Sequence, residues 1–186
     1  MRDLDVRKAL LAHLQATHKD DPYTRIREEL GLEHGQVFVD VAVINGDLHG
    51  YELKSDRDTL KRLPRQVEVY SAVLDRATLV VGSRHLHEAL DIVPAWWGVD
   101  VASAQPDGSV KLGSLRQASL NPQRQPLAVA KLLWREEALE VLESLGIAKG
   151  VRGKPRAVLY ERLVGALSTE ALRAEVRRRL TLREDW

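Results

Sequence analysis

The sequence predicts an α/β protein: a mixed sheet between helices, followed by a small all-helical region. Three observations lead there. Residues 37–44 are a β-branched, apolar run and 48–54 a second strand-like run, on either side of Asn45-Gly46-Asp47, a turn-forming triplet. Residues 77–81, Ala-Thr-Leu-Val-Val, form a short run without polar alternation, as in a strand buried on both faces. Beyond residue 126 the apolar residues recur only at helical spacing. With 186 residues, the chain is long enough for one sizeable core and an appendage.

Taken in order, Leu4, Ala9, Leu10 and Leu14 give a first helix over 4–16. Asp20-Asp21-Pro22 reads as the start of a second, running to about Gly31, with Ile26 and Leu30 as its buried stripe. On such a helix Glu29 borders the buried face, whereas Glu28 points about 200° away from Ile26. After the hairpin, Ser55 to Thr59 turns, and Leu60, Leu63, Val67, Tyr70 and Leu74 make a helical stripe that Pro64 starts or kinks. Gln66 and Tyr70 lie one turn apart on one face. Gly82-Ser83 caps a helix over 84–92, and 99–104 with 109–112 form a second hairpin across Pro106-Asp107-Gly108. Packing under that hairpin suits Trp96 and Trp97 better than stacking on bases. Residues 114–126, polar and holding Pro122 and Pro126, read as a linker between a core over 1–113 and a helical domain over 127–186. In that domain Leu127–Leu133 is one apolar run. Glu136–Leu145 is a helix ended by Gly146, Pro155–Leu167 another, and Thr169–Leu180 a last one capped by Ser168.

The first hairpin holds the chemistry. Alternation puts Phe38, Asp40, Ala42 and Ile44 on one face and Val37, Val39, Val41 and Val43 on the other. Leu48, Gly50, Glu52 and Lys54 likewise share a face. A two-residue Asn45-Gly46 loop would put Asp40 and Glu52 on opposite faces. A three-residue loop over 45–47 pairs Ile44 with Leu48 and sets Asp40 across from Glu52, with Cβ atoms roughly 4.5–5.5 Å apart. Two carboxylates so close in an apolar setting need a cation between them, and hard oxygen ligands suit Mg²⁺.

Asp40, Glu52-Leu53-Lys54 and Gln66-Val67-Glu68-Val69-Tyr70 together resemble the PD-(D/E)XK nuclease superfamily, in its RecB-like branch. The run Gly50-Tyr-Glu-Leu-Lys-Ser-Asp-Arg-Asp-Thr-Leu60 is similar to a bacterial family of mostly uncharacterised PD-(D/E)XK-like proteins. The likeness covers about residues 24 to 82; Val39 stands where the pattern has Pro. It implies a restriction-endonuclease-like sheet and a Mg²⁺-dependent deoxyribonuclease, a hydrolase of phosphodiester bonds, with Mn²⁺ as substitute. Asp40, Glu52 and the Leu53 carbonyl would hold the metal, with Glu29 matching the superfamily's helix carboxylate. Lys54 would orient the attacking water or stabilise the developing charge, and Gln66 and Tyr70 would position the DNA strand or the lysine. Arg57, Lys61, Arg62 and Arg65 follow closely enough to line the path of the phosphates.

A second candidate DNA contact is Ile147 to Arg156, a Gly-rich basic turn between helices, similar to a SAP-type DNA-binding hairpin. Lys149, Arg152, Lys154 and Arg156 suit phosphates there, because glycines let backbone amides approach an anion. Weighed against the enzyme is a non-catalytic nucleic-acid-binding or adaptor protein with a nuclease-like fold, since fold does not fix function. The presence of Asp40, Glu52 and Lys54 together argues for the enzyme, because a degenerate site would have lost one of them. Composition excludes other classes. There is no cysteine, hence no disulfide, thiolate zinc site or cysteine nucleophile, and the six histidines fall in no ligand spacing. Net charge is +1, so nucleic-acid binding must use local patches. No run approaches the ~20 apolar residues of a membrane span, nor does the start read as a signal peptide. The expectation is a cytoplasmic protein with a DNA partner, no membrane, and a homodimer as one assembly the sequence allows.

Overall fold

The computed structural model describes residues 1–184. Its sheet has six strands in chain order: β1 (Arg25–Leu32), β2 (Val37–Ile44), β3 (Leu48–Lys54), β4 (Arg76–Gly82), β5 (Gly98–Ala104) and β6 (Val110–Arg116). β1, β2 and β3 are antiparallel neighbours, β3, β4 and β5 run parallel, and β6 returns antiparallel. Parallel neighbours need crossovers. These are α2 (Leu63–Val73), and α3 (Leu86–Ile92) after a 3₁₀ turn at Ser83–His85. Helix α1 (Asp3–Thr17) covers one face of the sheet, burying Val6, Leu10 and Leu14 against Val41, Val43, Leu53, Val80 and Ala102. The other face packs against α2 and α3. That core continues into α4 (Pro126–Ala130), α5 (Arg135–Ser144), α6 (Arg156–Ala166) and α7 (Thr169–Leu182). With helices on both faces, β4 is buried along nearly its whole length, the environment its unalternating sequence suits.

The first hairpin has the three-residue loop: Ile44 pairs with Leu48, Val43 with His49, Ala42 with Gly50 and Val41 with Tyr51. Asn45 closes it, its Oδ1 accepting the Asp47 N–H at 3.1 Å. Gly50 is required by close approach, since a Cβ there would stand 2.5 Å from Leu74 Cδ1 and 2.9 Å from Val39 Cγ1. The later helices keep their expected ends. Gly146, at φ 71°, follows α5 and lets the Ile147 N–H reach Leu142 O at 2.9 Å, and Ser168 Oγ accepts the Ala171 N–H ahead of α7. Trp96 and Trp97 are buried, as packing residues. Residues 117–125, within the expected linker, are strapped down: Asn121 Nδ2 donates to Ser71 O and Leu74 O at 2.7 and 2.8 Å.

Two expectations are corrected. Residues 25–32 form an edge strand, not the second helix. Ile26 and Leu30 satisfy helical spacing, but pairing with the apolar β2 satisfies the backbone and buries Leu30 and Leu32 together. Alternation also slips along β1 and β2. Val37 and Val39 pack on the α2 side, as do Ala42 and Ile44, whereas Val41 and Val43 pack under α1. On β1, Ile26 packs under α1 and Leu30 and Leu32 on the opposite side. The slip falls at Glu29, in the left-handed region at φ 55°, between the pairs Glu28↔Val41 and Leu30↔Val39 and therefore facing Asp40. A non-glycine residue in that conformation is uncommon and costs strain.

Candidate functional site

At the end of the first hairpin, Asp3, Arg7, Glu29, Phe38, Asp40, Glu52, Leu53, Lys54, Arg62, Arg65 and Gln66 line an open pocket of about 470 Å³. Asp40 stands where the β2–β3 ladder stops, beyond Val41↔Tyr51. Its Oδ2 accepts the Leu53 N–H at 2.7 Å and its Oδ1 accepts from Arg7 Nη2 at 3.0 Å. Burial raises the Asp40 carboxyl above its ordinary range, against the Leu53 N–H and Arg7, which favour its charge. Arg7 also lies 3.1 Å from Glu29, 3.4 Å from Glu28 and 3.6 Å from Asp3. The cation required among these carboxylates is thus the protein's own guanidinium, supplied by α1.

Glu52, 1% exposed, is held mainly from the opposite layer. Its Oε1 accepts from Lys54 Nζ and, at 2.6 Å, from Gln66 Nε2 of α2; its Oε2 lies 2.5 Å from the Tyr70 hydroxyl, also of α2. That hydroxyl is 2.8 Å from Phe38 O as well, and it has one proton to give. That proton is shared between Glu52 Oε2 and Phe38 O. Burial first, then Asp40, raises Glu52 to about 7, against Lys54 and the Tyr70 hydrogen bond, which favour its charge. Tyr70 is fixed further by stacking on Trp97, centroids 5.6 Å apart. The Asp…Glu-x-Lys and Gln-x-x-x-Tyr residues do meet, then, as one buried polar network.

This donor set does not fit Mg²⁺ as it stands. Each carboxylate oxygen of Asp40 and Glu52 already has a protein partner, and an ion seeking octahedral oxygen ligands would have to displace Arg7 and Lys54. No group of three or more His, Cys, Asp or Glu that could hold a metal occurs among the described residues.

The candidate DNA contacts fall in two places. Arg57, Lys61, Arg62 and Arg65 are exposed; Arg62 and Arg65 line the pocket, where Arg65 pairs with Glu33 at 2.6 Å and Glu68 at 2.8 Å. Lys149, Arg152, Lys154 and Arg156 are exposed on the turn between α5 and α6 and the first residue of α6. Arg152 pairs with Glu143 at 2.9 Å, and Arg135 Nη2 donates to Arg152 O at 2.6 Å, fixing the turn to α5. Sequence reasoning missed Arg7, whose helix gave no sign of reaching Asp40. It also missed Asp75, buried just after α2, where Arg173 and Arg177 of α7 converge. A lone Asp behind an apolar stripe is a weak signal that such a partner exists.

Comparison with known proteins gives a different family from the one the motifs suggested. The family model described as Bacteriophage P4 protein cII matches residues 1–185. "Protein cII" of Enterobacteria phage P4 is 25% identical over 147 residues, 79% of this chain and 55% of that protein, so the chain spans about half the length of this relative. No solved structure matches. These findings overturn the expected membership of the PD-(D/E)XK nucleases, with its SAP-like appendage, and with it the deoxyribonuclease, the hydrolase activity and the enzyme class. The physical reason is that acidic, lysine, glutamine and tyrosine residues at those spacings also build a closed hydrogen-bond network.

Proposed function

We propose, because the chain belongs to the bacteriophage P4 protein cII family, that it is a non-catalytic nucleic-acid-binding protein, DNA being its first partner. Its sheet is restriction-endonuclease-like in order, and its acidic centre is a structural lock. The observation that carries this reading is a division of charge. At the centre each carboxylate oxygen of Asp40 and Glu52 has an internal partner, whereas Lys131, Lys149, Lys154 and Arg156 have no carboxylate partner among the described residues. Unneutralised cations on a Gly-containing turn suit phosphates, whose counterions they release. We take the helical part after residue 126 as the main contact. No helix of the described residues is long and apolar enough to cross a membrane.

A gel shift with duplex and with single-stranded DNA in EDTA, beside plasmid incubation in Mg²⁺ or Mn²⁺, tests the reading. Binding without metal and no nicking in either metal is expected; nicking that EDTA abolishes, or no binding, would overturn it. Changing Lys149, Arg152, Lys154 and Arg156 together to Ala should weaken binding for every sequence tried. It should also flatten the salt dependence by about 0.9 in log–log slope per lost phosphate contact.

A further inference from the structure

The turn after β1 and the helical layer enclose a second groove, of about 520 Å³, within the ~300–1,000 Å³ span of small-ligand pockets. Trp134, the residue ahead of α5, stands in it 50% exposed, while Trp96 and Trp97 are buried. The indole is held in place. The Arg183 guanidinium lies 4.1 Å from the ring centroid, and Arg183 is itself fixed by Glu137 at 2.7 Å and Leu132 O at 2.8 Å. One face is therefore backed by a cation and the ring remains half open to solvent.

Lys131, Arg135 and Arg156 line the same groove. His34 stacks on Tyr160 at the same groove, centroids 6.1 Å apart. Burial lowers its pKa first, and Arg156 and Lys131 lower it further, against Glu33. Of the two lining acids, Glu29 is paired with Arg7, and Glu136 lies 3.9 Å from Arg135 at the rim. The groove continues into the basic turn through Arg156 and through the Arg135 bond to Arg152 O.

A prepositioned, half-open indole in a groove lined by cations suits a base with a free π-face and a phosphate beside it. Duplex bases are stacked within the helix and present no such face; single strands do. We infer that this groove takes one nucleotide of a single-stranded nucleic acid, its base on the open face of Trp134 and its phosphate between Lys131 and Arg156. The strand then runs on over the 149–156 turn. This inference rests on the nucleic-acid-binding reading above and narrows it to a strand type.

Fluorescence anisotropy with a labelled oligothymidylate and a labelled duplex of equal length tests it. The wild-type protein should bind the single strand more tightly. Trp134→Ala should lower the ratio of single-strand to duplex affinity about tenfold or more, the worth of one stacked base. Trp134→Phe should restore most of it, with thermal melts confirming that both variants fold. Joint Lys131→Ala and Arg156→Ala substitution should flatten the salt dependence of single-strand binding. An unchanged ratio in Trp134→Ala, or a wild-type preference for duplex, overturns the strand inference and leaves the binding reading standing. If the wild-type protein binds neither probe, both fall.

Discussion

Replacing Asp75 by Ala should destabilise the protein by about 3–5 kcal/mol, the cost of leaving buried partner charge unpaired. Asp75 is 2% exposed. Its Oδ2 accepts the Leu48 N–H at 2.8 Å and lies 3.1 Å from Arg177 Nη1; its Oδ1 meets Arg173, itself buried, and Arg124 at 3.6 Å. One carboxylate thereby ties the start of β3, the strap after β6 and α7 to the end of α2. Its removal leaves the buried Arg173 guanidinium with only the exposed Glu170, 3.1 Å away, and strands the Leu48 N–H inside the protein. An exposed pair such as Arg65–Glu68 is worth only ~0.2–1 kcal/mol. Urea denaturation of both proteins measures the difference. Asp75→Asn should fall between them, since its amide oxygen can still accept from Leu48 but carries no charge. A loss below about 1 kcal/mol for Asp75→Ala would mean that the arginines find other partners and the tie is redundant.

The second large effect concerns pH. Glu52 is raised from its usual 4.5 to about 7 in the folded state, so between those values the native protein holds a proton that the unfolded chain has released. Stability from this residue is therefore greatest below about 4.5 and declines as pH rises towards 7. At 1.36 kcal/mol per pKa unit the shift amounts to about 3 kcal/mol. His49 acts in the opposite sense: burial lowers it to about 4, so its contribution grows as pH rises from about 4 to its unfolded value near 6.5. The raw profile mixes the two, and the comparison with Glu52→Gln separates them. Relative to wild type, this variant should gain stability steadily from about pH 4.5 to 7 and level off above. Denaturant melts at several pH values give the difference directly. Parallel profiles for the two proteins would show that Glu52 does not titrate in that window.

Local chemistry made several elements legible. Asn45-Gly46-Asp47 set the hairpin register through its own side-chain bond. The unbroken apolar run at 77–81 belonged to a central strand, and Gly146 and Ser168 marked helix ends, because in each case the deciding interactions lie within a few residues. The 25–32 segment was not legible. Ile26 and Leu30 satisfy a helical stripe, and only the neighbouring β2 backbone decides for a strand, with Glu29 carrying the left-handed kink.

The acidic centre divides in the same way. By itself the sequence determined the three-residue loop that pairs Ile44 with Leu48, and the one-turn spacing that puts Gln66 and Tyr70 on one face of a helix. Tertiary structure decided what the polar side chains meet. Arg7 comes to Asp40 from 33 residues away, Tyr70 to Glu52 from 18, and Arg173 to Asp75 from 98. A carboxylate's role follows from which donors surround it. Those donors lie on other layers of the fold, so a spacing pattern that would suit a metal becomes, once α1 and α2 are packed, a set of oxygens already bonded.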